Sequence, residues 1–208
     1  MAERFRRLWV ASANAGKVRE IAVLLAQSPL EVTPLEPDHG IVFPEEGDDY
    51  AANAIAKAKT VARALGEPAV ADDSGLEVDA LDGGPGPRSA RYGGPGLDDA
   101  GRVSKLLEAL EGVPPASRGA RFYCVAACAW PDGTVVTAAG ACPGHIATRR
   151  RGRGGFGYDP IFVPEHYDVS MAELAAHEKD AISHRGRAFR ALYEAIREAR
   201  SGWLEGGA

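Results

Sequence analysis

RLWVASANAGKVREIAVLL, residues 7–25, is the stretch on which the fold assignment turns. Arg7 to Ser12 is an apolar run that reads as a first strand. A small-residue turn follows, and Val18, Ile21, Ala22 and Leu25 then recur on one face of a helix. Ser28-Pro29 ends that helix. Leu30 to Pro34 reads as a short second strand, followed by the Pro- and acid-rich loop EPDHGIVFPEEGDD. A second helix is expected from about Asp49 to Leu65, with Ala51, Ala54, Ile55, Ala58, Val61 and Leu65 on one stripe. Asp48 or Asp49 suits its N-cap, and Gly66 its stop. Ala69 to Ala71 reads as a short apolar strand running into Asp72-Asp73-Ser74-Gly75, and Leu76 to Leu81 as extended chain. Val103, Leu106, Leu107 and Leu110 mark a third helix. Arg121–Trp130 and Thr134–Ala141 read as strands joined by the turn Pro131-Asp132-Gly133. Ile161–Val163 is a short strand and Met171–Ala176 a short helix. A last helix starts near Ser183 and turns Phe189, Leu192, Tyr193 and Ile196 inward. Strands and helices are intermixed throughout, so the class is α/β with a mixed sheet.

The chain has 208 residues, enough for one domain or one domain with two lobes. Lys+Arg 24 against Asp+Glu 29 gives a net charge of −5, which argues against a general nucleic-acid binder but not against one small phosphate ligand. MAERFRRLWV lacks the long apolar run of a secretory signal. No apolar stretch approaches the ~20 residues that cross a bilayer. Cys124, Cys128 and Cys142 are odd in number, so a complete disulfide framework is not expected. Cys124 and Cys128 fall in the apolar run FYCVAACAW and read as reduced and buried. The compartment expected is a reducing cytoplasm.

Four segments could carry chemistry. Ser12-Ala13-Asn14-Ala15-Gly16-Lys17 leads from a strand into a helix N-terminus, where backbone N–H groups and the helix dipole favour an anion. Ser12 and Asn14 can bond phosphate oxygens and Lys17 can neutralise them; a capped helix with a solvated lysine is the plainer alternative. It is not a Walker A loop, because Ala11 and Val18 stand where Gly and Ser/Thr are needed. Second, PEEGDD (residues 44–49) and ADDSG (residues 71–75) gather carboxylates suited to Mg²⁺ with substrate phosphates. The alternatives are a turn or cap pair for Asp72-Asp73 and a solvated loop for Glu45 and Glu46. Third, in GGFGYDPIF, glycines allow close backbone approach to a flat ligand. There Phe156 or Tyr158 offers a stacking face, and Asp159 can accept from a base edge. Arg149 to Arg151 before it read as a solvated loop. Fourth, HEKDAISHRGRAF is not HExxH, because Ala181 stands four residues after His177. His184 and Arg185 lie in a first helical turn, where a cation opposes the dipole unless it meets an anion or acceptor.

In this order the segments resemble the HAM1/inosine triphosphate pyrophosphatase family, most closely its bacterial branch. The stretches that carry the likeness are SANAGKVREI, EEGDDYAANAIAKA, ADDSGLEVDAL with PGPRSARYGG, GGFGYDPIF and EKDAISHRGRA, from residue 12 to about 189. The resemblance implies one two-lobed domain over residues 1–208, with an elongated mixed sheet flanked by helices and the active site in the cleft between the lobes. It implies a homodimer that needs Mg²⁺ and a small-molecule nucleotide partner. The implied reaction is hydrolysis of noncanonical purine triphosphates (ITP, dITP, XTP) to the monophosphate and pyrophosphate. Ser12 to Lys17 would hold the triphosphate, with Lys17 catalytic, and Asp73 would be general base and metal ligand. Ser74 would touch substrate. Phe156, Gly157, Tyr158 and Asp159 would enclose the nucleoside. Lys179, His184 and Arg185 would read base and phosphates. Two departures stand out. Ser12-Ala13 replaces a common Thr-Gly, and Pro44 falls where the family's metal glutamate usually lies, leaving Glu45 or Glu46 to serve. The alternatives are a Maf-like pyrophosphatase of modified or pyrimidine nucleotides and a noncatalytic nucleotide or RNA module built on RRRGRGG.

Overall fold

A computed structural model describes residues 6–36 and 38–204. Its strands are β1 (Arg6–Val10), β2 (Leu30–Pro34), β3 (Ala69–Val78), β4 (Pro85–Gly86), β5 (Gly119–Ala129), β6 (Val135–Ile146) and β7 (Phe162–Pro164). Its helices are α1 (Ala15–Leu25), α2 (Tyr50–Leu65), α3 (Asp99–Ala109), α4 (Ala176–Ile182), α5 (His184–Ala199) and α6 (Ser201–Leu204). The strands form one mixed sheet in the order β2-β1-β3-β5-β6-β7, with β4 paired to β3. β1 is parallel to both β2 and β3, whereas β3–β4 and β6–β7 are antiparallel. The α/β class with a mixed sheet and flanking helices is therefore as expected.

The chain divides into two compact units. The first comprises the chain up to Asp73, Cys124–Gly140, and the chain from Arg185 on; the second comprises Ser74–Tyr123 and Ala141–His184. In the first unit, alternate residues of each strand serve different cores, as the period of two in a strand requires. Val70 of β3 and Cys124, Ala126 and Cys128 of β5 pack with Ile21 and Leu25 of α1 and Phe189, Leu192 and Ile196 of α5. Ala69 and Ala71 of β3 and Ala127 and Ala129 of β5 pack instead with Ala54, Ala58, Val61 and Ala62 of α2. The second unit has its own core, built from Leu76 and Val78 of β3, Val103 and Leu106 of α3, Phe122 of β5 and Phe162 of β7.

Several expectations are corrected here. β3 is one ten-residue strand, so Asp72 and Asp73 sit in its interior and are not a turn or cap pair. Asp79–Leu81, expected as extended chain, forms a 3₁₀ turn. The buried face of α2 includes Tyr50, Asn53 and Lys57, while Leu65, expected on the stripe, is exposed. α4 has no apolar stripe to announce it; Glu178 starts it by accepting from the Ala175 N–H (2.9 Å). Residues 201–204 form α6, and Trp203 meets Trp130 edge-on at 5.7 Å; residues 205–208 lie outside the described chain.

Candidate active site

The alternation that splits the first core also splits the two acids. Asp72 shares a face with Val70, toward α1 and α5; Asp73 shares one with Ala69 and Ala71, toward α2. Each meets cations from the helices on its side. Asp72 Oδ2 accepts from Arg185 Nη2 (3.0 Å) and Nε (3.2 Å) and lies 3.2 Å from Lys17 Nζ. Arg185 Nη1 also reaches Glu20 (2.5 Å). Burial alone would push the Asp72 carboxyl up, but Arg185 and then Lys17 overcome it and hold it well below the usual carboxylate range. This answers the oddity of an arginine in a first helical turn: the acceptor is Asp72.

Asp73 is held differently. Its Oδ1 accepts from Lys57 Nζ (3.0 Å) and its Oδ2 from Asn53 Nδ2 (2.9 Å). Lys57 also pairs with Glu46 at 2.7 Å, and Asn53 clasps Gly47 through both its N–H and its carbonyl. These bonds tie the acidic loop to α2 and bring the Glu46 and Asp73 carboxylates to one ammonium. Glu45 is exposed and outside this group, so the structure separates the two glutamates that the sequence left equivalent. Burial is the strongest influence on Asp73 and raises its pKa; Lys57 and Asn53 pull it down without cancelling that rise.

The Ser12–Lys17 loop leads into the capped N-terminus of α1. Asn14 caps α1, its Oδ1 accepting from Gly16 N (2.9 Å) and Lys17 N (3.1 Å), so those amides already have a partner. Ser12 Oγ accepts from Asn14 N (3.2 Å). Ala13, Asn14 and Ala15 are exposed, while Ser12 and Lys17 are half-buried. Lys17 is not a solvated lysine, because Asp72 draws it in.

The remaining expected residues lie in the second unit. Asp159 is buried, and its Oδ2 accepts from Lys179 Nζ (2.6 Å) and Phe156 N (2.8 Å). Lys179 Nζ also sits 5.0 Å from the Phe156 ring centre. Gly155 has φ +69°, and a Cβ there would lie 2.0 Å from Asp159 Oδ2. That glycine therefore makes room for the loop's own carboxylate, where the expectation was room for a ligand. Tyr158 is buried and donates to Ser89 O (2.9 Å), which leaves Phe156 as the half-buried ring of the pair. Gly157 N donates to Asp99 Oδ2 (2.8 Å). His184 is buried and stacks on Phe122. Ser74, the first residue of this unit, is half-buried. The basic loop is not simply solvated: Arg150 bonds Ser104 Oγ (2.8 Å) and Ala100 O, and Arg151 pairs with Glu173 (3.2 Å).

Sequence reading missed Asn53, Lys57, Glu20 and the separate role of Asp72. Asn53 and Lys57 did leave a signal, being polar residues four apart within the spacing of an apolar stripe. Among the described residues no three metal-ligating side chains gather into a cage. Asp72 Oδ1 is buried without a hydrogen-bond partner. Two carboxylates on one ammonium form a hard-oxygen set that suits Mg²⁺ only when phosphates and water complete it.

Carboxylates and lysines paired at a strand of a mixed α/β sheet are groups of the kind that phosphoryl-transfer enzymes use around phosphates. The Ham1 family matches residues 8–195. A dITP/XTP pyrophosphatase of Bacillus cereus is 48% identical over 94% of this chain and 97% of its own. One of Streptomyces coelicolor is 46% identical over 92% and 98%. A HAM1 protein from Coxiella burnetii superposes with a TM-score of 0.82 at 39% identity, covering 93% of this chain and 99% of its own. A nucleoside-triphosphatase / dITP/XTP pyrophosphatase from Mycobacterium abscessus gives 0.70 at 42%, covering 91% and 98%. The chain belongs to the Ham1 family.

Proposed function

We propose that this chain hydrolyses noncanonical purine nucleoside triphosphates (XTP, dITP, ITP) to the monophosphate and pyrophosphate. The observation that carries the proposal is Asp73: a carboxylate in a strand interior, fixed through both oxygens, with its pKa raised by burial. A base of that kind accepts a proton more readily than a solvated aspartate. Water attacks the α-phosphorus and gives its proton to Asp73. The new O–P bond forms as the bridging bond to the β-phosphate breaks, and pyrophosphate leaves with that electron pair. Lys17 and Lys57 offset the charge on the phosphate oxygens. Glu46 and Asp73 would hold Mg²⁺, which when bound supplies charge stabilisation and orientation at those oxygens. Arg185 enters as the counter-ion that seats Asp72, and through it Lys17.

For the base, Lys179 and His184 are the donors and Phe156 the apolar face. Hypoxanthine and xanthine carry a carbonyl at position 6, whereas adenine carries an amino group. Adenine would leave each buried donor facing a donor, at ~1–3 kcal/mol apiece. Two such donors give roughly 30- to 10⁴-fold discrimination.

The test is incubation with XTP, ITP, dITP, ATP and dTTP, with and without Mg²⁺, and identification of the products. Pyrophosphate from XTP and ITP, lost on chelation, is the expected result. Release of orthophosphate, or preference for dTTP, would overturn the assignment. We also propose a homodimer, which sedimentation of the purified chain checks, and a cytoplasmic location, which fractionation of the cells that make it checks.

A further inference from the structure

His184 is placed by two things. Its backbone opens α5, which fixes where the side chain starts but leaves its two side-chain dihedrals open. Its ring lies nearly parallel to that of Phe122, with centroids 4.7 Å apart and planes 12° apart. Both residues are buried, at 5% and 7% exposure, so the stack is not an incidental surface contact. Phe122 is held in turn by Phe162, at 4.6 Å and 55°. An imidazole covered on one face by a parallel ring retains its in-plane N–H and N atoms for hydrogen bonding. Rotation about the last side-chain bond would break the overlap, so the stack selects one ring plane.

We propose that Phe122 is a positioning residue for substrate selection: it fixes the plane in which His184 presents its hydrogen-bonding edge to the purine. The assignment rests on the pyrophosphatase function proposed above. Phe122 touches no substrate itself. A ring one residue removed from the ligand thus sets the difference between a 6-carbonyl and a 6-amino purine.

The experiment measures kcat/KM for XTP and for ATP in the full-length protein. Phe122→Leu should reduce the XTP value about tenfold while leaving the ATP value nearly unchanged, which narrows the ratio. Phe122→Tyr, which keeps the ring, should restore it. In a His184→Ala background, Phe122→Leu should cause no additional loss. Ile196→Ala, in the core of the first unit, is the control for core damage, with an expected fall in melting temperature and an unchanged XTP:ATP ratio. Should Phe122→Leu not fold, Phe122→Met replaces it in the same cycle. Equal losses on XTP and ATP, or losses that add to those of His184→Ala, would overturn the positioning role alone. A wild type that releases no pyrophosphate from XTP would overturn the parent assignment and this one with it.

Discussion

In the mechanism proposed above, Asp73→Asn removes the proton acceptor and keeps the shape, so turnover of XTP should fall by about 10²–10⁴-fold with a cooperative melt retained. Pyrophosphate release checks this, and substantial remaining activity removes Asp73 as the base. Lys57→Met tests the environment of the same carboxylate. Burial raises the Asp73 pKa and Lys57 lowers it, so loss of Lys57 moves it further up. The base must be deprotonated, and the acidic limb of the kcat/KM profile should therefore shift to higher pH. An unmoved limb would mean that another group titrates there. Asp72 is a different case. Asp72→Ala removes one of the carboxylates that the buried Arg185 meets, leaving Glu20, and should cost ~3–5 kcal/mol in a urea titration. Its folded pKa is depressed, so its stabilisation is present above the unfolded value of ~3.9 and is lost as pH falls below it. A variant as stable as wild type would show that the pair contributes nothing.

Among the elements, the loop before α4 turns on a glycine. Gly155→Ala would push the Asp159 carboxylate out of its place and with it the Lys179 ion pair. KM for XTP should rise more than kcat falls, and unchanged kinetics would show that the Phe156–Asp159 loop is not part of the site. Asn14→Ala should cost about 1 kcal/mol as a lost helix cap. β2 and α2 were readable nearly to the residue and β1 to within two, because an apolar run or stripe and a local cap such as Asp49 or Gly66 carry their own signals. β3 was not, because adjacent aspartates imitate a turn until their cations are known. Those cations come from elsewhere in the chain: Lys57 from α2, Lys17 from α1 and Arg185 from α5. The motif positions of the candidate site were visible for the same reason that their partners were not: motifs are local, whereas Asn53 and Lys57 act only once α2 lies on β3.

At the scale of the whole molecule, the cysteines report on packing. All three are free and buried, and burial pushes the Cys124 and Cys128 thiols up. Ellman's reagent should find no reactive thiol in native buffer and three in guanidinium chloride; native reactivity would contradict the packing of β5 and β6. The order in which the chain is made adds a last consequence. The second unit ends at His184, and the next residue made is Arg185 of the first. Asp72 is separated from that arginine by 113 positions. The strand that carries both acids is therefore synthesised long before its permanent counter-ion, and the Asp72–Arg185 pair can form only after the start of α5 has been made.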